Sequence, residues 1–172
     1  DKVGSVELAT MSFGQRFTIT PLQMISAISA IANDGTLLQP KIVKSMTNTD
    51  TGEVTNFDTT KIRQVLSAQT ANQVKSMMKS VVTDGTGKNA QVQGYSIGGK
   101  SGTSEPVVGD TNSGYTTSFA AISPIENTQV AILVTLYDPQ GHSHQGGQTA
   151  APVVSKILSE VLPQMGIEPD QK

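Results

Sequence analysis

The run from Gly94 to Ser104 constrains the fold of this chain more than any other stretch. It reads GYSIGGKSGTS, and a single cation, Lys100, stands among its glycines and hydroxyl residues. Residues 94–101 match the phosphate-loop pattern G-x-x-x-x-G-K-[ST] of nucleotide hydrolases. Residues 100–103 equally suit an extended strand that carries a lysine and two hydroxyls. The two interpretations require incompatible backbones, so the flanking sequence must decide between them.

The flanking sequence disfavours the phosphate loop. That loop needs a buried strand before its first glycine and a helix that begins at the lysine, because N–H groups at the start of the helix hold the phosphates. Residues 88–93 are too polar for a central strand. Gly102 and Pro106 follow the lysine, and in a helix interior they cost about 1 and 3 kcal/mol relative to Ala. One observation supports the loop, because the apolar run 130–137 ends at an aspartate that could bind magnesium. Apolar strands ending in Asp are common, so nucleotide hydrolysis remains the less favoured hypothesis.

As an extended strand, residues 100–104 present two faces. Side chains alternate along a strand, so Lys100, Gly102 and Ser104 share one face, and Ser101 and Thr103 share the other. Glycine lets a ligand approach the backbone closely, and the unpaired backbone groups of an edge strand can align a peptide-like substrate. A polar edge strand with no ligand is the alternative that this motif leaves open.

Composition excludes several classes of function. The 172 residues suffice for one domain with a buried core. A net charge of −2 provides no general field for nucleic acid, and the lack of cysteine rules out disulfides and thiolate metal sites. No apolar run approaches the roughly 18 residues that span a bilayer. The chain opens at Asp1 rather than Met, and we expect it to have been cut from a longer polypeptide.

Caps and periodicity predict three helices. The first covers 20–32, with a capping box from Thr20 to Gln23, and its apolar residues surround the helix, so we expect burial on nearly all sides. The second covers 68–83 after the N-cap Ser67, and the third covers 152–162. The predicted buried stripes of the second and third helices are Ala71, Val74, Met77, Met78, Val81 and Val82, and Val153, Val154, Ile157, Leu158, Val161 and Leu162.

The remaining elements are predicted to be strands. Residues 37–46 and 53–57 form a hairpin, and 95–104, 116–123 and 129–137 form an antiparallel meander. Residues 129–137 are apolar on both faces and should be central in the sheet. The predicted fold class is α+β, an antiparallel sheet meander flanked by helices.

Seven short stretches occur in the order found in one protein family. Over nearly all 172 residues the chain resembles the C-terminal half of the transpeptidase domain of class B penicillin-binding proteins. The resemblance implies the fold of penicillin-binding proteins and serine β-lactamases. Arg16 departs from the family pattern, in which glycine is more usual. The stretches are Ser12–Gln15, Thr20–Met24, Ile31–Gly35, Gly85–Gly87, Gly99–Thr103, Phe119–Pro124, and Gly146–Gly147 with Ala150–Pro152.

The resemblance implies acyl transfer through a serine ester. Such an enzyme attacks the D-Ala-D-Ala end of a peptidoglycan stem peptide, releases the last D-Ala and passes the acyl group to an amine of another stem. β-Lactam antibiotics acylate the same serine, and the enzyme lies at the extracytoplasmic face of the bacterial cell membrane. Lys100 would place positive charge near the substrate carboxylate, Ser101 and Thr103 would hydrogen-bond it, and the Thr103 N–H would form half of the oxyanion hole. Gly102 and Ser104 complete the expected substrate-binding strand.

Two motifs of the family should lie on a preceding segment. The chain contains no Ser-x-Asn, and its one Ser-x-x-Lys is Ser76 to Lys79. Ser76 should lie mid-helix on a solvated face, so we reject it as the nucleophile. We therefore interpret residues 1–172 as the C-terminal portion of the domain, inactive without an upstream segment that carries Ser-x-x-Lys and Ser-x-Asn. A non-catalytic β-lactam sensor or degenerate binding module on the same fold is the alternative.

We expect neither a metal nor a cofactor. His142 and His144 lie in a glycine-rich loop with no cysteine or placed carboxylate, a pattern more typical of surface residues than of a zinc site. Asp138 should cap the turn at Pro139.

Overall fold

The structure, a computed structural model, describes residues 3–12, 14, 17–106, 114–141 and 143–171. The helices in these residues are α1 Ser5–Met11, α2 Pro21–Ala32, α3 Ala68–Thr83, α4 Gly146–Thr149 and α5 Ala151–Gln164, with a 3₁₀ turn at Lys88–Ala90. The strands are β1 Thr36–Leu38, β2 Ser45–Thr47, β3 Val54–Asn56, β4 Lys61–Gln64, β5 Gly98–Ser104, β6 Thr116–Ser123 and β7 Val130–Tyr137. The predicted α+β class is confirmed. No helix among the described residues combines the length and the apolarity that a membrane span requires.

Helix α2 begins where the sequence predicts but is less buried than expected. The Thr20 hydroxyl accepts from the Gln23 N–H at 3.2 Å, and the Gln23 side chain accepts from the Thr20 N–H at 3.0 Å, which completes the capping box. The prediction of burial on nearly all sides is wrong, because only Ala30 is buried and Leu22 is 60% exposed. The helix packs on β7, β6 and α3 and contacts β1, which follows it, and these contacts leave much of its apolar surface uncovered.

The predicted strand 37–46 is two separate strands. β2 pairs with β3 in antiparallel register, Ser45 opposite Asn56, so this part of the hairpin is confirmed. β1 instead pairs with β4, Thr36 opposite Gln64. Pro40 lies between β1 and β2 and has no N–H to donate to a strand partner, which explains the break.

The main sheet is a three-stranded antiparallel meander in the order β5-β6-β7. The meander is confirmed, but β6 is the central strand and the prediction that β7 is central is wrong. β7 is apolar on both faces because α2 packs on one and α5 on the other, and neither contact requires a central position. β5 begins at Gly98, three residues later than predicted, since Tyr95, Ser96 and Ile97 are buried but lie outside the ladder.

The core lies between α5 and one face of this sheet. Val154, Leu158 and Leu162 are fully buried against Phe119 and Val82. The predicted stripes are too wide, because Val153 and Ile157 are each 38% exposed and Met77 is 67% exposed. Neighbouring helical residues lie about 100° apart, so an adjacent apolar pair cannot both face the sheet directly. α5 also extends to Gln164 and includes Pro163 in its last turn. Helix α1 was not predicted, and none of its residues is buried.

Candidate functional site

Lys100 lies in the middle of an extended strand. β5 runs from Gly98 to Ser104 and pairs with β6 in unbroken antiparallel register, with Lys100 opposite Ala120. No helix begins at the lysine, so the phosphate-loop hypothesis is wrong. Among the described strands, β6 is the one partner of β5, and the opposite edge of β5 is unpaired.

Residues 100–104 of β5, with Thr116 and Ser118 of β6, line a groove with a volume of about 690 Å³. Lys100, Gly102 and Ser104 lie opposite Ala120, Ser118 and Thr116 in the ladder, and cross-strand partners share a face. The other wall of the groove is formed by residues 17–21 and Met24, which lead into and begin α2. The predicted alternation is therefore confirmed, and the Lys100 face opens onto a concave surface.

The Lys100 side chain lies at the edge of the strand. Its Nζ donates to the Ser101 carbonyl at 2.6 Å, and the residue is exposed. The ammonium group is therefore held against the backbone of its own strand.

Ser101 and Thr103 have their hydroxyls on the other side of the strand. The Ser101 hydroxyl lies 3.3 Å from that of Thr86, and the Thr103 hydroxyl accepts from the Gly146 N–H at 3.2 Å. Thr103 is exposed, and its hydroxyl hydrogen remains available to donate. The strand edge is therefore bordered by Lys100 on one side and by two hydroxyls on the other.

Thr86 and Gly146 are site residues to which the sequence analysis assigned no role. Thr86 lies in the loop between α3 and the 3₁₀ turn, and Gly146 begins α4. A Cβ on Gly146 would lie 2.5 Å from the Gly102 carbonyl oxygen, and one on Gly147 would lie 2.2 Å from the Thr86 carbonyl oxygen. The signal that could have located them is the close spacing of glycines in residues 85–87 and 146–147.

Gly99 lets β5 approach the core closely. A Cβ at this position would lie 2.4 Å from Cε1 of Phe119, whose side chain is fully buried and cannot move aside cheaply. At Gly102 the nearest atom would be the Ser118 hydroxyl oxygen at 2.6 Å, the end of a side chain that can rotate. Gly99 is therefore required by packing, whereas Gly102 leaves space in the groove that a side chain would fill.

Ser76 lies in the middle of α3, as predicted. It is exposed, and its hydroxyl donates to the Asn72 carbonyl of the same helix at 3.0 Å. This bond is typical of a serine on a solvated helix face.

His144 and Asp138, for which we expected no metal-binding role, each contact a nearby side chain. The His144 ring stacks on Tyr115 with centroids 4.3 Å apart and planes inclined by 8°. The Asp138 carboxylate accepts from Gln140 Nε2 at 3.0 Å across the turn at Pro139, in keeping with the predicted turn role. His142 and Arg16 lie outside the described residues.

Comparisons with known proteins agree with this geometry. Residues 1–159 match the model of the penicillin-binding protein transpeptidase domain. Stage V sporulation protein D of Bacillus subtilis is 37% identical over 172 residues, which cover 98% of this chain and 27% of that protein. The TP domain of penicillin-binding protein 3 from Burkholderia pseudomallei is 35% identical with a TM-score of 0.81, over 97% of this chain and 49% of that one. Penicillin-binding protein 3 of Mycobacterium tuberculosis, complexed with ampicillin, is 31% identical with a TM-score of 0.81, over 95% and 39% of the two chains.

The chain therefore belongs to the penicillin-binding protein transpeptidase family, and the resemblance found in its motifs is confirmed. It spans between about a quarter and a half of the length of these relatives.

Proposed function

We propose that this chain supplies one wall of the active site of a peptidoglycan D,D-transpeptidase, as the C-terminal portion of the catalytic domain. The observation that carries the proposal is the position of Lys100 on an unpaired strand edge that opens onto a groove. Membership of the transpeptidase family supports the same function, and the ampicillin complex of the related Mycobacterium tuberculosis protein supports a ligand in that groove.

The D-Ala-D-Ala end of the stem peptide would lie along β5 as an added strand. Backbone groups of Thr103 on the unpaired edge would hydrogen-bond the peptide, and the missing side chain of Gly102 leaves room for it. Lys100 would place its charge near the terminal carboxylate, and the hydroxyls of Ser101 and Thr103 would donate to that carboxylate. Ser104 would extend this binding edge.

The chemistry is acyl transfer. A serine hydroxyl attacks the carbonyl of the penultimate D-Ala, the C–N bond to the last D-Ala breaks, and the serine proton passes to the leaving amine. The oxyanion that forms in between would accept from the Thr103 N–H, an interaction worth about 3 kcal/mol of barrier in other acyl-transfer enzymes. An amine from a second stem peptide then attacks the ester, and the serine regains its proton.

The nucleophile is proposed to come from a preceding segment. We reject Ser76 because it is bonded to its own helix and lies on an exposed face of α3. A segment that carries Ser-x-x-Lys and Ser-x-Asn would place its serine in the groove opposite Lys100. The chain alone is then expected to be inactive, and the whole protein would act at the extracytoplasmic face of the membrane, where peptidoglycan is cross-linked.

Labelling with a fluorescent penicillin tests the proposal. We expect covalent label on the protein that includes the preceding segment, at the serine of its Ser-x-x-Lys, and no label on residues 1–172 alone. Mass spectrometry of the labelled peptide identifies the serine. Label on Ser76 would contradict the proposal. Acylation without any cross-linked product from stem peptides would instead identify a β-lactam sensor.

A further inference from the structure

The C-terminal tail is bonded to the segment that leads into β5. The N–H groups of Asp170 and Gln171 donate to the Gly94 carbonyl at 2.9 and 3.0 Å. The Tyr95 hydroxyl donates to the Ile167 carbonyl at 2.9 Å. Residues 167–171 therefore contact residues 94–95, which lie just before β5, the strand that carries Lys100.

The Asp170 carboxylate makes the most specific of these contacts. It accepts from the Ser96 N–H at 2.6 Å and, through its other oxygen, from the Ser96 hydroxyl. Ser96 is only 3% exposed. Hydrogen bonds from a buried donor to an ionised acceptor are stronger than neutral ones, and here both go to one side chain.

Ser96 is also hydrogen-bonded to residues at the turn between β6 and β7. Its hydroxyl accepts from the Ile125 N–H at 2.9 Å, and its carbonyl accepts from the Ser123 hydroxyl at 3.1 Å. Ile125 lies against the start of β5, where a Cβ on Gly98 would be 2.6 Å from its Cδ1. The Asp170 carboxylate, Ser96 and the β6–β7 turn therefore form one hydrogen-bonded network just before the start of β5.

We infer that Asp170 is a positioning residue for the Lys100 strand, an inference that rests on the proposed function. β6 holds β5 along one edge, while the other edge is unpaired among the described strands. The network around Ser96 sets where β5 starts, and that start sets the placement of Lys100 and of the Thr103 N–H. Small displacements of reacting groups by remote changes can cost about a hundredfold in rate.

Asp170→Asn is the informative substitution. An amide keeps one acceptor for the Ser96 N–H but turns an NH₂ group toward the Ser96 hydroxyl, which already accepts from Ile125. The buried hydroxyl hydrogen then loses its acceptor, so the network must rearrange. Glu168→Gln is the matched control, because Glu168 is an exposed carboxylate of the same tail with no hydrogen bond to residues 94–96 among the described residues.

The experiment measures acylation of the whole transpeptidase by a β-lactam, well below the lowest Tm of the variants. We expect Asp170→Asn to lower the acylation rate constant about tenfold while the Kd of the preceding complex changes by less than about twofold. Glu168→Gln should match wild type in both. Ser96→Ala should act in the same direction, and the double variant should be no slower than the slower single variant, because both changes break one network.

Two results would overturn the inference. A wild-type acylation rate constant in Asp170→Asn and in Ser96→Ala, whatever their Tm, would show that the tail contributes stability alone. Lack of acylation in the wild-type protein would instead defeat the proposed function, and the inference with it.

Discussion

Lys75 Nζ lies 3.2 Å from Asp34 Oδ1, and this ion pair ties α3 to the turn that ends α2. The two partners differ in environment, since the lysine side chain is 7% exposed and the aspartate side chain is 65% exposed. A buried ammonium group loses its hydration, so it depends on the aspartate for compensation. This ion pair should therefore contribute more to the stability of the fold than a typical surface ion pair does.

Asp34→Asn is expected to lower the free energy of unfolding by about 1.5 kcal/mol, because it leaves a buried charge without its counterion, while the exposure of Asp34 limits the loss. Asp34 has a positive φ of 50°, which asparagine adopts readily. The substitution therefore removes the charge without adding backbone strain. Urea unfolding measures the change. In a Lys75→Met background the same substitution should cost almost nothing, and an equal cost in both backgrounds would contradict the ion-pair account.

Gly99→Ala should destabilise the protein by about 2 kcal/mol, because the new methyl group overlaps the buried Phe119 ring. Gly102→Ala should leave Tm nearly unchanged, since the Ser118 hydroxyl can rotate away, but it should slow acylation by narrowing the groove. Thermal unfolding and penicillin labelling of the two variants, both made in the whole transpeptidase, separate the effect on stability from the effect on acylation. Equal losses of stability in both would show that the two glycines have the same role.

Leu158→Ala is expected to cost about 3 kcal/mol, the usual range for an aliphatic core residue, because Leu158 is fully buried between α5 and the sheet. Ile157→Ala, one position earlier and 38% exposed, should cost less than about 1 kcal/mol. Chemical unfolding compares them directly. A larger loss for Ile157 would mean that another part of the protein covers that face.

Lys100→Ala should reduce acylation by a β-lactam about a hundredfold in the whole transpeptidase without lowering Tm, because the side chain is exposed and its charge is proposed to act on the ligand. Lys88→Ala removes another exposed lysine, in the 3₁₀ turn, and should leave both quantities unchanged. Rate and Tm are measured on the same preparations. Unfolding of the Lys100 variant would assign that lysine a structural role.

Local structure could be predicted from the sequence where its signals are local. The capping box at Thr20 and the N-cap Ser67 place the starts of α2 and α3, and both caps are present in the structure. The extended backbone at Lys100 follows from the glycine and proline after it, which disfavour a helix. The alternation of side chains along β5 then requires no further information.

Relationships between distant residues could not be predicted in the same way. Apolar residues on both faces of β7 show that both faces are covered but do not specify the neighbouring strands, so the wrong strand was placed at the centre. Ser96 and Asp170 are 74 residues apart, and neither has a local pattern that marks it as part of the site. Likewise, the contact of Thr103 with Gly146 depends on how α4 packs against the sheet.

The two outer edges of the main sheet differ in a way that matters for handling the isolated chain. β5 carries Lys100 and hydroxyl side chains along its open edge, and the lysine charge opposes pairing with the same edge of a second copy, because two ammonium groups would then lie close together. β7 is apolar from Val130 to Leu136 except at Thr135, and no described strand pairs with its outer edge. Self-association of residues 1–172 would therefore run through β7, and sedimentation at increasing concentration would detect it.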